Sequence, residues 1–223
     1  MRKSLILIII LLLTIPAVYT QNGVEYVKVT LALLKYGGGG DWYGDRNALP
    51  NLAKFVNENL PIKVNPEIKI VSPMDEELFS YPYIFMAGHG NVRFTDEEVL
   101  RLRKYLTSGG FLHADDDYGM DKYFRREIKR IFPENKLVEL PFTHPIYHVF
   151  YNFPHGLPKI HEHDGKPPQG FGIFYKGRLV VFYSYETDLG DGWEDPEVHN
   201  DPEEKRLQAL KMGANILLYS LLY

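Results

Sequence analysis

Cysteine is missing from this chain altogether. Its absence excludes a disulfide framework, a lipid-attachment thiol and a thiol nucleophile, so stability must come from a packed core. Basic clustering is scarce too. No run of five or more Lys or Arg residues occurs, so there is no phosphate-backbone footprint and nucleic acid is not an expected partner. Several catalytic signatures are also absent. The glycine run Gly37–Gly40 is not followed by a Lys-Ser/Thr pair, which excludes a nucleotide P-loop. Neither a Gly-x-Ser-x-Gly elbow nor a His-Glu-x-x-His zinc motif is present. The acidic, turn-rich stretch from Asp188 to Asp195 lacks the EF-hand ligand order.

Long apolar runs are limited to the N-terminus. Leu5 to Val18 falls short of the roughly 20 residues that cross a bilayer comfortably. It follows the basic pair Arg2-Lys3 and leads into Pro16-Ala17-Val18-Tyr19-Thr20, a cleavage region. The pattern reads as a secretory signal peptide over residues 1–21, with an uncleaved anchor as the alternative. The remainder, 22–223, is expected outside the cytoplasm, periplasmic or secreted, touching a membrane only through that segment if it is retained. Loss of Arg2 and Lys3 takes the formal charge from −4 to −6. About 200 residues suffice for a single domain with a sizeable core. The 16 Tyr suit both that core and surfaces that stack on flat ligands or sugars.

What is present alternates between strand and helix. Val24 to Leu34 reads as a strand, fully apolar from Leu31 as in a strand buried on both faces. Ala48 to Asn59 is an amphipathic helix that tolerates Pro50 in its first turn. Ile68 to Val71 and Tyr83 to Ala87 are strands. Thr95 with Glu98 forms a capping box for a helix whose stripe is Val99, Leu100, Leu102, Tyr105 and Leu106, closed by Gly109-Gly110. Phe111 to Ala114 is a strand and Asp121 to Ile131 a helix. From Leu140 to Gly172 the pattern breaks into an irregular excursion. Its six prolines and five histidines, interleaved with aromatics, argue for a packed segment rather than a linker. Gly172 to Tyr183 reads as a hairpin turning at Lys176-Gly177, and Asp201 caps a final helix running to about Leu222. This alternation predicts an α/β three-layer sandwich with a mostly parallel central sheet.

In such sheets ligands bind beyond the carboxyl ends of the strands, and there the chain places its polar residues. Gly38 and Gly39 allow a backbone cradle, with Asp41 and Trp42 beside them. His89 stands between two glycines. Asp115, Asp116 and Asp117 repel one another unless a cation, a basic partner or a proton relieves them. Asp115 and Asp117 are the same-side pair on an extended chain. Asp188 and Trp193 follow the last strand. His161 and His163 share one face of an extended segment, and His144 and His148 align likewise, a spacing that suits zinc, nickel or copper. Each cluster also has a bland alternative: a flexible loop, a helix cap, solvated carboxylates, surface histidines.

Several motifs in order resemble a bacterial family catalogued as domain of unknown function 4159. They are Tyr83–Ala87 with Gly88-His89-Gly90, Gly109-Gly110 before Phe111-Leu112-His113-Ala114-Asp115-Asp116, His144-Pro145-Ile146-Tyr147-His148, and Gly177-Arg178-Leu179 through Asp188 and Trp193. The resemblance spans Val24 to Tyr223 and implies a fold similar to the class I glutamine amidotransferase and flavodoxin-like group. It implies no activity. Where glutamine amidotransferases carry a nucleophilic Cys, this chain has His113-Ala114-Asp115-Asp116, so amidotransfer by that mechanism is ruled out.

Two functional readings follow. One is a ligand-binding or accessory module of an envelope system, recognising a small molecule or an envelope protein through Gly38, Gly39, Asp41, Trp42, Asp116, Asp188 and Trp193. The other is a metal-assisted hydrolase with His89, Asp115 and Asp117 in catalysis and a divalent metal as cofactor. A purely structural interaction domain is the third alternative.

Overall fold

A computed structural model describes residues 28–223. The expected signal segment and the first residues of the expected opening strand, 24–27, lie outside the described residues. The rest of that strand is split. Lys28–Val29 (β1) pairs in parallel with Lys63–Val64 (β3) as a small separate sheet, and Ala32–Leu34 (β2) enters the main one.

The main sheet has seven strands. The others are Lys69–Val71 (β4), Tyr83–Met86 (β5), Phe111–Asp115 (β6), Val138–Glu139 (β7), Gln169–Tyr175 (β8) and Arg178–Tyr185 (β9). Their order is β4-β2-β5-β6-β9-β8-β7. The first five are mutually parallel, while β8 runs antiparallel to β9 and β7 antiparallel to β8. In chain order the parallel strands therefore stand second, first, third, fourth, fifth. The winding reverses between β2 and β5. The β8–β9 hairpin turns at Lys176 (φ 50°) and Gly177 (φ 84°), both left-handed as a two-residue turn of this twist requires.

Alternation along the strands sends side chains to two cores. Tyr83, Phe85, Phe111 and Phe182 face Ala48–Asn59 (α1) and Glu203–Leu222 (α6). Ile84, Met86, Leu112 and Ala114 face Asp96–Thr107 (α2) and Asp121–Ile131 (α3). Two short helices, Leu189–Trp193 (α4) and Pro196–His199 (α5), follow β9. The excursion is packed. Ile146, Tyr147, Phe153 and Ile160 are buried, and Asn215 of α6 clamps Tyr151 by accepting from its N–H and donating to its carbonyl, each at 2.8 Å.

The helix ends differ in how they are satisfied. At α2 the capping box forms, Thr95 Oγ1 accepting from Glu98 N at 3.2 Å and Glu98 Oε2 from Thr95 N at 2.7 Å. At α1 the side chain of Asn47 does not cap. Glu194, at the end of α4, accepts from the N–H groups of Asn47 (2.8 Å) and Ala48 (3.1 Å) instead. Asp201 likewise does not cap α6; its carboxylate meets His161 Nε2 at 3.0 Å. Leu100 leaves the expected stripe and is 68% exposed. Val99, Leu102, Tyr105 and Leu106 already fill the inward face, and Leu100 lies about 100° round from Val99.

This contrast is measurable. Leu102→Ala, at a position with no exposure, should cost about 2–5 kcal/mol in urea unfolding. Leu100→Ala should stay within about 0.5 kcal/mol. Equal losses would mean that α2 packs by another face.

Candidate functional site

The glycine run after β2 is a seam, not an open cradle. Arg93 N donates to Gly37 O (2.8 Å), Gly40 N to Asn91 O (3.0 Å) and Asn91 Nδ2 to Gly38 O (3.0 Å). Gly38 sits at φ +106°, and a Cβ there would come within 2.7 Å of Asn91 O. Gly39, by contrast, has open space at its Cβ position. Beside the seam Asp41 accepts from His89 N and holds His89 Nδ1 at 3.1 Å. The imidazole is 55% exposed, and its Nε2 makes no hydrogen bond among the described residues. Trp42 is half-buried, with Lys35 Nζ 5.7 Å from its ring centre and Tyr43 edge-on to it.

The three aspartates that end β6 separate by role. Asp115 is buried, accepting from the Ser184 hydroxyl through Oδ1 and from Gly190 N through Oδ2 at 2.6 Å. Asp116 Oδ1 accepts from Met120 N at 2.8 Å and so steadies the turn into α3. Asp117 is 2% exposed, yet neither of its carboxylate oxygens has a hydrogen-bond partner. Ligand atoms of Asp117, Asp45 and Asp191 all lie within 4.8 Å of one another. Asp45 Oδ2 is also buried and unpartnered. Gly190 leaves room for it, since a Cβ there would fall 2.3 Å from Asp45 Oδ2.

Burial first, then the neighbouring carboxylates, hold Asp45 and Asp117 well above the usual carboxylate range. Burial pushes Asp115 up to about 8 against the opposing hydrogen bonds from Ser184 and Gly190, and Asp116 to about 6. Tyr36, whose hydroxyl donates to Ala87 O, is raised by burial and by Asp117, Asp41 and Asp45.

Histidines flank the other side. Asp188, in the left-handed region at φ 59°, meets His161 Nδ1 at 2.8 Å and His163 Nε2 through one oxygen, while its Oδ1 has no partner. Asp191 meets His161 Nδ1 at 3.2 Å and His199 Nε2 at 3.3 Å. Hydrogen bonds to Asp188 and Asp191 raise His161 to about 10. Burial opposes charge on His163, but Asp188 outweighs it and the imidazole is raised. Burial would also raise Asp188, yet the two histidines hold it below its ordinary value. Next to His163, whose ring centre is 5.0 Å from that of Tyr118, opens a pocket of about 280 Å³ lined in part by Asp116, Tyr118, Lys122, Tyr185 and Glu186.

Some expected site residues stand elsewhere. His144 packs against Phe174 and Tyr219, accepting from Ile146 N. His148 is held by Asn152 Oδ1 and Phe142 O, both at 2.7 Å. Neither joins His161 and His163, because the turn at Pro145–Tyr147 docks on α6 and carries them away. Trp193 is fully buried, packed on Phe85 and His113 with Nε1 donating to Ala209 O, so it is a core residue and not a wall of the crevice. Three site residues escaped the sequence reading. Asp191 lies inside the acidic stretch Asp188 to Asp195, and Asp45 falls just beyond the segment ending at Trp42-Tyr43. His199 carries no local signal at all.

A buried chain supports Asp115 from behind. Tyr83 Oη is 2.8 Å from His113 Nδ1, His113 Nε2 is 2.8 Å from Ser184 Oγ, and Ser184 donates to Asp115. The donors run in one direction if the imidazole is neutral with its proton on Nε2. Burial among Phe85, Phe182 and Trp193 pushes His113 down to about 3. Ser184 lies buried between imidazole and carboxylate, which is not the nucleophile–base–acid order of a hydrolytic triad.

His113 stays neutral in the fold to about pH 3 but protonates near 6.5 when unfolded, so its contribution is complete above 6.5 and is lost as pH falls. Between pH 7 and 5 the wild-type chain should lose about 2 kcal/mol more unfolding stability than His113→Gln. Equal losses by urea titration would show that His113 carries charge in the fold.

Comparison with known proteins adds one family. No curated protein matches the chain. The profile described as "Domain of unknown function (DUF4159)" matches residues 30–221, from the start of the main sheet to the last turn of α6. The chain belongs to the DUF4159 family.

Proposed function

We propose that the chain is an extracytoplasmic, divalent-cation-dependent hydrolase whose ion is held by Asp45, Asp117 and Asp191. The observation that carries this reading is the Asp117 carboxylate, buried with both oxygens unpartnered and facing two further carboxylates. Leaving such a group without a counter-charge costs on the order of several kcal/mol. A cation relieves that cost, and all-carboxylate donors suit a hard one such as Ca²⁺, Mg²⁺ or Mn²⁺. Bound there, it would polarise a substrate oxygen or acidify a water. His89, oriented by Asp41 on the loop that also supplies Asp45, is an exposed imidazole available for proton transfer.

The neighbouring pocket favours a second reading, a ligand-binding module without turnover. Tyr118 and Tyr185 offer aromatic faces and Lys122 a cation, a lining that suits a small polar or sugar-like ligand. The order of the parallel strands, second-first-third-fourth-fifth, is the flavodoxin-like one and supports the finer fold assignment. The basic and apolar N-terminal sequence supports export.

Calorimetric titration of EDTA-treated, untagged protein with Ca²⁺ and with Mg²⁺ tests the proposal. One equivalent should bind, and Asp117→Asn should weaken it about 100-fold or more while raising the melting temperature of the metal-free protein. No binding at millimolar ion, or unchanged binding in Asp117→Asn, would overturn the site. Cation-dependent turnover against ester, amide and phosphate substrates then separates the hydrolase from the binding module.

A further inference from the structure

We propose that a second, softer cation position adjoins the first, formed by His161, His199, Asp188 and Asp191, with Asp191 shared between the two. This rests on the carboxylate site proposed above only in giving Asp191 a bridging role; the histidine position has its own donors. His161 comes from the excursion, Asp188 and Asp191 from the start of α4, and His199 from α5. Ligand atoms of His161, Asp191 and His199 lie within 4.8 Å of one another, and Asp188 Oδ2 adjoins His161 Nδ1 at 2.8 Å.

Three features of this cluster fit a metal position. The first is spacing. An ion bound at about 2.0–2.1 Å in tetrahedral geometry sets its donors about 3.3 Å apart. His161 Nδ1 stands 3.2 Å from Asp191 Oδ2, and His199 Nε2 stands 3.3 Å from Asp191 Oδ1. The second is the outer partner of His161. Its far nitrogen, Nε2, faces Asp201 Oδ2 at 3.0 Å, the carboxylate–histidine pairing that fixes ring orientation and leaves the other nitrogen for a metal. The third is Asp188 Oδ1, buried and without a partner beside these donors. His163 positions Asp188 through its other oxygen. Mixed imidazole and carboxylate donors select Zn²⁺, Co²⁺ or Mn²⁺ over Ca²⁺. Two ions bridged by one carboxylate are a recurrent arrangement in metal-assisted hydrolysis.

Co²⁺ is the probe, because its visible bands report low-coordinate ligation. EDTA-treated protein saturated with Ca²⁺ should take up one further equivalent of Co²⁺ with such bands. His199→Ala, on the surface helix α5, should weaken this uptake about 100-fold or more and leave Ca²⁺ binding in place. His163→Ala, acting through Asp188, should weaken it about 10–100-fold. Circular dichroism establishes that both variants fold. Co²⁺ uptake without Ca²⁺ uptake, still lost in His199→Ala, would sustain this position and sink the carboxylate site. Absence of Co²⁺ uptake, or uptake indifferent to both His199→Ala and His161→Ala, would overturn the proposal and leave His161 as an imidazolium among Asp188, Asp191 and Asp201.

Discussion

Burial of several carboxylates at the carboxyl ends of β6 and β9 is the constraint on which the rest of the structure depends. Asp115, Asp117, Asp188 and Asp191 are all buried, and Asp45 brings a fifth carboxyl group to them. Nothing in a hydrophobic core tolerates this without compensation. Much of the local architecture supplies it: the Tyr83–His113–Ser184 chain behind Asp115, the bare backbone of Gly190, and the left-handed Glu186 and Asp188 that reverse the chain after β9. Side chains at φ near +60° cost on the order of 1 kcal/mol or more each, and such strain persists where the surroundings enforce it.

The short helix α4 is held at both ends by this arrangement. Its first turn is tied to β6 through Gly190 N on Asp115. Its far end is tied to α1 through Glu194, which takes over the capping of Asn47 and Ala48, while Trp193 plugs the core between them. Five residues have little helical stability of their own. Tertiary ties hold Asp191 in place, and they make the site rigid where the chain is locally weak.

Legibility in the sequence follows the range of the forces involved. Hydrophobic period and capping chemistry act within a few residues, so Ala48–Asn59, the Thr95–Glu98 box and the Lys176-Gly177 turn could be read directly. Asp115 and Asp117 stood out because a strand ended on them, and parity put them on one side. Asp45, Asp191 and His199 were not readable, since their meeting depends on loops closing across 154 positions of chain, from Asp45 to His199. Leu100 and Trp193 failed for the converse reason. An apolar residue at nearly the right angle goes outward when its neighbours already fill the face. An aromatic in an acidic loop goes inward when the core has a hole its size, here between Phe85 and the bare backbone of Gly213 in α6.

The compensation is uneven, and the unevenness points to the use of the site. On the His161 side, carboxylates meet imidazoles, and Glu186 meets Lys159 at 3.0 Å. On the other side neither Asp45 nor Asp117 has an ion-pair or hydrogen-bond partner for its buried oxygens among the described residues. Sheets wound in this order place ligands where the winding reverses, which here is between β2 and β5. That point is closed by Gly37–Gly40 against Asn91 and Arg93 and is spanned by the Asp41–His89 pair. The unpartnered carboxyl groups of Asp45 and Asp117 therefore lie on the segments that leave β2 and β6, beside a sealed switch point. A core selected for stability alone would have replaced Asp117 with a neutral residue of its size, because a lone buried carboxylate only destabilises it. Its unpartnered oxygens beside Asp45 and Asp191 are the physical argument for the cation proposed there.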